Sequence, residues 1–140
     1  MNLRRPVLLA GLAVAVAGCG VTNSSTNPFL TFSANVLLAP ATAPAQSTAV
    51  RSDSIVTAGG FTDPTGCASI ASKIAANGTQ ITVRIIGTPS ASAGCSVPTQ
   101  AYSYQAAAFP VTSGSHRFTV QVESGTLPVV VLTDTTVIVP

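Results

Sequence analysis

Apolar and polar residues alternate over Ile81-Thr82-Val83-Arg84-Ile85 and again over Phe118-Thr119-Val120-Gln121-Val122-Glu123. A period of two becomes one apolar and one polar face only in an extended strand. Ile81, Val83 and Ile85 then share a face opposite Thr82 and Arg84, and Phe118, Val120 and Val122 oppose Arg117, Thr119, Gln121 and Glu123. From about Arg51 onward, β-branched residues and closely spaced turn residues predict strands over Asp53 to Ala58, Ser69 to Ala75, Gln80 to Gly87, Ala101 to Ala108, His116 to Glu123 and Val129 to Val139. Asn77-Gly78 accepts the positive φ angles of a tight hairpin turn and lies between two of these strands. Val129 to Val139 has apolar residues on both faces, interrupted by Asp134, which predicts a long strand covered on both sides for part of its length or bent between sheets. A single sheet would leave one apolar face in water, so residues 51–140 are predicted to form an all-β, immunoglobulin-like antiparallel β-sandwich.

No charged residue occurs from Pro6 to Val50, and Gly20 to Ala49 is dominated by Ser, Thr, Asn, Ala and Pro. This composition predicts a flexible tether over residues 19–50. Phe29 to Leu38 departs from it, because Phe29, Leu30, Phe32, Val36, Leu37 and Leu38 are poorly solvated in a free chain. That segment is expected to dock on the domain as an edge strand.

Residues 1–18 have a different logic. Arg4 and Arg5 precede an uncharged, Val-, Leu- and Ala-rich stretch from Pro6 to Gly18, with small residues Ala17 and Gly18 before Cys19. These are the three parts of an export signal. Its apolar stretch is shorter than the roughly 18 to 20 residues that span a bilayer. The residues around Arg4-Arg5 lack the rest of the twin-arginine motif. Val16-Ala17-Gly18-Cys19 resembles the lipobox of bacterial lipoproteins, in which diacylglycerol is joined to the Cys and cleavage leaves that Cys at the amino terminus. The resemblance implies lipidation at Cys19 with fatty acyl chains such as palmitate, a membrane anchor through that lipid, and a place in the bacterial cell envelope. Gly20 after the Cys, in place of the Asp of inner-membrane lipoproteins, implies the outer membrane. More than one acyl chain, at about 0.8 kcal/mol per buried CH₂, makes such an anchor stable.

A thioether at Cys19 leaves Cys67 and Cys95 as a pair, which in an exported protein implies a disulfide. In the chain-entropy model, closing a loop of this length stabilises the fold by roughly 3 to 4 kcal/mol. Two Cys and one distant His make a poor metal set, and the spacing is not the Cys-x-x-Cys of redox pairs. The order of a Cys-bearing strand, an Asn-Gly hairpin, a second Cys, Tyr102-x-Tyr104 and Gly114-x-His116-x-Phe118-x-Val120 is also similar to small bacterial lipoproteins of unassigned function. That likeness implies no catalytic residue.

Removal of the leader takes the formal charge from +2 to zero, since only four Arg or Lys then face four Asp or Glu. The remaining chain has no basic stripe for a phosphate backbone, and nucleic acid is not an expected partner. His116 is the only histidine and stands beside Ser113 and Ser115, but scattered Asp53, Asp63, Glu123 and Asp134 suggest no triad, carboxylate pair or metal spacing. His116 is therefore expected to be a partly exposed turn or strand residue. Gly59-Gly60 lacks the following helix and basic anchor of a phosphate cradle and is expected to be a bulge or turn. Tyr102 and Tyr104 share one strand face and are expected in core or cross-strand packing rather than as a sugar or peptide platform. No catalytic, cofactor or metal site is expected. The expected function is a non-enzymatic structural or protein-interaction module with an envelope protein as partner, and the second reading is a protease inhibitor. The inhibitor would use a loop beside the disulfide, near Cys67; the loops flanking the cysteines, Thr62 to Gly66 and Thr88 to Gly94, are where a partner surface is to be sought, although their Pro, Ser, Thr, Gly and Ala content favours ordinary sandwich connections.

Overall fold

The computed structural model describes residues 28–37, 42–64, 66, 68–89 and 99–140. Cys19, Cys67 and Cys95, the predicted leader and most of the second predicted loop lie outside the described residues. The described chain forms eight strands: β1 (Phe29–Val36), β2 (Ser47–Arg51), β3 (Ser54–Asp63), β4 (Ser69–Asn77), β5 (Gln80–Thr88), β6 (Gln100–Phe109), β7 (Gly114–Ser124) and β8 (Val130–Val139). They make two four-stranded sheets, β1-β6-β3-β2 and β4-β5-β7-β8. Across the sandwich β1 packs over β4 and β2 over β8. The fold is thus the all-β sandwich expected from alternation.

Its core is the set of residues that alternation turns inward. Ile81, Val83 and Ile85 of β5 meet Phe118, Val120 and Val122 of β7, all buried, while Arg84 and Gln121 point outward. From the facing sheet come Ile55, Phe61, Tyr102, Tyr104 and Ala106. Phe61 stacks on Tyr102 with ring centroids 5.1 Å apart, and Phe32 of β1 stacks on Tyr104 at 6.3 Å. The two tyrosines are therefore core residues, as expected from their shared face.

Several expectations are corrected in detail. Not every pair of neighbours is antiparallel, because β5 and β7 run parallel. Between them the chain crosses to the other sheet as β6, so β7 returns in the direction of β5, as a crossover connection requires. The sandwich also begins before residue 51. The segment at Phe29 docks as expected, β1 pairing with β6 from Phe29↔Phe109 to Val36↔Tyr102, and Ser47–Arg51 adds a further edge strand beside β3. Much of the predicted tether is therefore part of the fold. The β4–β5 turn is one residue later than Asn-Gly predicts: Asn77 pairs with Gln80, and Gly78, at φ 58°, takes the first central position. This is the Gly-first arrangement of a two-residue hairpin.

Gly59 and Gly60 form neither turn nor bulge. They lie within β3, where the chain at Pro44 and Gln46 passes so close that a Cβ on Gly60 would sit 2.4 Å from Pro44 Cδ. Glycine in a strand interior marks such an approach. Gly60 N–H donates to Pro44 O (2.9 Å), Gln46 Nε2 donates to Gly60 O (2.6 Å), and the Tyr104 hydroxyl donates to Gln46 Oε1 (2.6 Å). Finally, β8 is not covered on both sides. It is an edge strand with Val130, Val131 and Ile138 exposed, preceded by exposed Val129, and the β7–β8 register shifts between Val120 and Gln121. Such an irregularity twists an edge and interrupts its ladder.

Candidate functional site

Among the described residues, the strands bring polar side chains together at three locations that could form a site. At one end of the sandwich, inward alternation along β3 from Ile55 continues to Asp63, which is wholly buried. Opposite it, Ser124 closes the inward row of β7 and donates a hydrogen bond from Oγ to Asp63 Oδ2 at 3.2 Å. Gly87 of β5 leaves space for the carboxylate, since a Cβ there would lie 2.1 Å from Asp63 Oδ2. Tyr102 stands nearby and donates its hydroxyl proton to Ala68 O (3.1 Å). Burial, and then the charge of Asp63, push the Tyr102 hydroxyl above its ordinary pKa. The carboxylate and phenol therefore brace the roots of the loops that carry Cys67 and Cys95. Of those loops, Thr62, Asp63, Pro64 and Gly66, and then Thr88 and Pro89, are among the described residues. The one imidazole of the chain, His116, is not among the described residues of this cluster.

His116 lies at the opposite end and is buried, not partly exposed. It shares the inward face of β7 with Phe118 and Val120, which carries the ring under the Pro110–Thr112 turn. Its Nε2 lies 2.7 Å from the Thr112 carbonyl oxygen, so that nitrogen carries the donated proton, and Nδ1 is buried without a hydrogen-bond partner. The ring borders a cavity of about 30 Å³ among Pro28, Ala76, Ile81 and Val111. That is room for one water. Ser113 Oγ donates instead to the Pro140 carbonyl (2.5 Å). The neighbouring hydroxyls that invited a triad reading are therefore not joined to the imidazole.

The third location is the outer face of β4-β5-β7-β8. Arg84 donates through Nε and Nη2 to the two oxygens of Glu123 at 2.6 and 2.5 Å, and Arg117 donates likewise to Asp134 at 2.8 and 2.6 Å. Such forks are the geometrically specific form of an ion pair. The hydrogen bond from Arg84 lowers the Glu123 carboxyl below its ordinary pKa, and Arg117 does the same to Asp134. Two of the four described basic side chains are thereby matched, leaving Arg51 and Lys73 outside these forks. Among the described residues, no group of three or more His, Cys, Asp or Glu comes together as a metal set.

Exposed apolar side chains gather at both ends. Val36, Leu127, Val129, Val130 and Val131 surround the end near Asp63, whereas Phe29, Phe109 and Ile138 flank the end near His116. On the outer face of the first sheet, a depression of about 260 Å³ lies over Ala106 and Ala107 between Ser33, Val56 and Gln105, with no titratable side chain in its lining. Sequence reading missed the Asp63, Gly87 and Ser124 niche. Strict alternation from Ile55 places Asp63 inward, but its partners come from two strands of the other sheet, an adjacency that sequence separation conceals. The fold and these surfaces define a compact β-sandwich protein. No protein-family model, curated protein or solved structure matches the chain.

Proposed function

We propose that this is a lipid-anchored bacterial envelope protein, joined to a membrane through diacylglyceryl-Cys19 and acting as a non-enzymatic structural or protein-interaction module. The observation that carries the reading is Val16-Ala17-Gly18-Cys19 at the end of a basic, then apolar leader. Cys67 and Cys95 join as a disulfide across the loops rooted at Asp63 and Thr88, and the outer membrane is the destination. The described roots of those loops, Asp63 and Thr88, and the uncharged valine strip from Val129 to Val131 stand at the same end of the sandwich, and that end is the surface for an envelope protein partner. The anchor is tested by mass spectrometry of the membrane-extracted protein and by labelling with a palmitate analogue. A diacylglyceryl mass on an amino-terminal Cys19, with the label lost in Cys19→Ala, is expected. An intact leader on an unmodified chain in the cytosol overturns the reading.

A further inference from the structure

The end of the sandwich at which the amino-terminal segment enters is marked by Pro28, which is buried against the Pro110–Thr112 turn. Phe29 pairs directly with Phe109 on the outer face of one sheet, and Ile138 pairs with Ser115 on the outer face of the other. These apolar side chains are 60%, 38% and 74% exposed, so both flanks of one tip are greasy. We propose that this tip docks on the lipid bilayer that holds Cys19, with Phe29, Phe109 and Ile138 entering the interface between headgroups and acyl chains. The inference rests on lipidation of Cys19 and specifies how the anchored domain stands on its membrane.

Three observations favour a bilayer as the occupant. Nine Cα steps separate Cys19 from Pro28, a reach of at most about 30 Å even when fully extended, so the anchor confines this tip to the neighbourhood of the headgroups. The strands are eight to eleven residues long in β1 and β3 to β8, which sets the Val129–Val131 end about 30 Å farther out. The apolar residues also lie on opposite faces of the sandwich. A second copy seated on one sheet covers only one flank, whereas a lipid surface receiving the tip meets both. Arg51 and Asp53 stand at this tip with opposite charges, so docking depends on apolar burial and not on anionic lipid.

The chain contains no Trp, so a single introduced indole reports one position. The full chain, expressed with its own leader as Phe29→Trp, Ile138→Trp or Val131→Trp, is extracted from membranes. It is then reconstituted in phosphatidylethanolamine and phosphatidylglycerol vesicles with brominated acyl chains. Emission from the Phe29→Trp and Ile138→Trp proteins is expected to shift to the blue and be lost to bromine quenching, equally at low and high phosphatidylglycerol. Val131→Trp is expected to keep its emission. If the first two are no more quenched than Val131→Trp while mass spectrometry finds lipid on Cys19, docking is refuted and the anchor stands. An unmodified Cys19 removes both. Quenching at all three positions refutes the orientation, and shielding of Phe29→Trp from an aqueous quencher without bromine quenching assigns the tip to a second copy and refutes the proposal.

Discussion

Replacing Gly60 with Ala tests whether the Pro44–Gln46 segment is part of the fold, because the sign of the effect depends on it. Gly60 lies in a strand and has no positive φ, so in open space an added methyl would leave the backbone unstrained. The change would then stabilise the protein by about 0.4 to 1 kcal/mol through the unfolded chain. In the folded protein the new Cβ meets Pro44 Cδ at 2.4 Å, Pro44 N at 2.5 Å and Ala43 Cβ at 2.8 Å. A backbone nitrogen cannot rotate aside, so the whole segment must retreat. Retreat breaks the bonds from Gly60 N–H to Pro44 O, from Gln46 Nε2 to Gly60 O and from the Tyr104 hydroxyl to Gln46 Oε1. At about 1 kcal/mol each, less the unfolded-state gain, the net loss is about 2 kcal/mol. For a domain of this size that lowers the melting temperature by about 10 °C. For Gly59→Ala the nearest atoms all belong to the side chain of Gln46, with Oε1 at 2.3 Å, and the change is expected to cost less because that side chain can swing away. Thermal unfolding followed by circular dichroism measures both. A Gly60→Ala protein as stable as the parent, or more so, refutes the close approach of Pro44.

Phe118→Ala, at a wholly buried position, is expected to destabilise the sandwich by about 3 to 5 kcal/mol in urea unfolding, a large share of what a small domain has. Ser124→Ala removes the hydroxyl that donates to buried Asp63 and is expected to cost about 1.5 to 3 kcal/mol by the same measurement. Folded-state pKa values of Glu123 and Asp134 are depressed by their arginines, so their contribution is fully present above the unfolded carboxylate range, near about 4, and is lost as pH falls through the folded values. Urea midpoints measured against pH are expected to show a smaller acid-side decline in Glu123→Gln than in the parent, and added salt should narrow the difference between them. The proposed Cys67–Cys95 disulfide predicts that reduction lowers stability by roughly 3 to 4 kcal/mol, and that Cys67→Ser with Cys95→Ser abolishes that response to reductant.

The alternation of Ile81, Val83 and Ile85 and of Phe118, Val120 and Val122 was sufficient by itself to determine strands with one buried face and a sandwich to bury them. A period of two is a local property, written in consecutive residues. The docking of Phe29–Val36 was legible for the same reason, since its apolar residues stand out from a polar surround. Tertiary structure alone decided the parallel pairing of β5 with β7, because nothing in either strand records that β6 crosses to the other sheet between them. It also decided the role of Gly59 and Gly60. Their lack of side chains suits a turn and a close approach equally well, and only the path of the chain at Pro44 distinguishes the two. His116 shows the same limit: its place on the apolar face of β7 was readable, but its burial depended on the Pro110–Thr112 turn and on Pro28, which are brought over it by folding. The Asp63 niche likewise exists only once β5 and β7 place Gly87 and Ser124 across from β3, where a missing Cβ and a hydroxyl from distant positions become one environment.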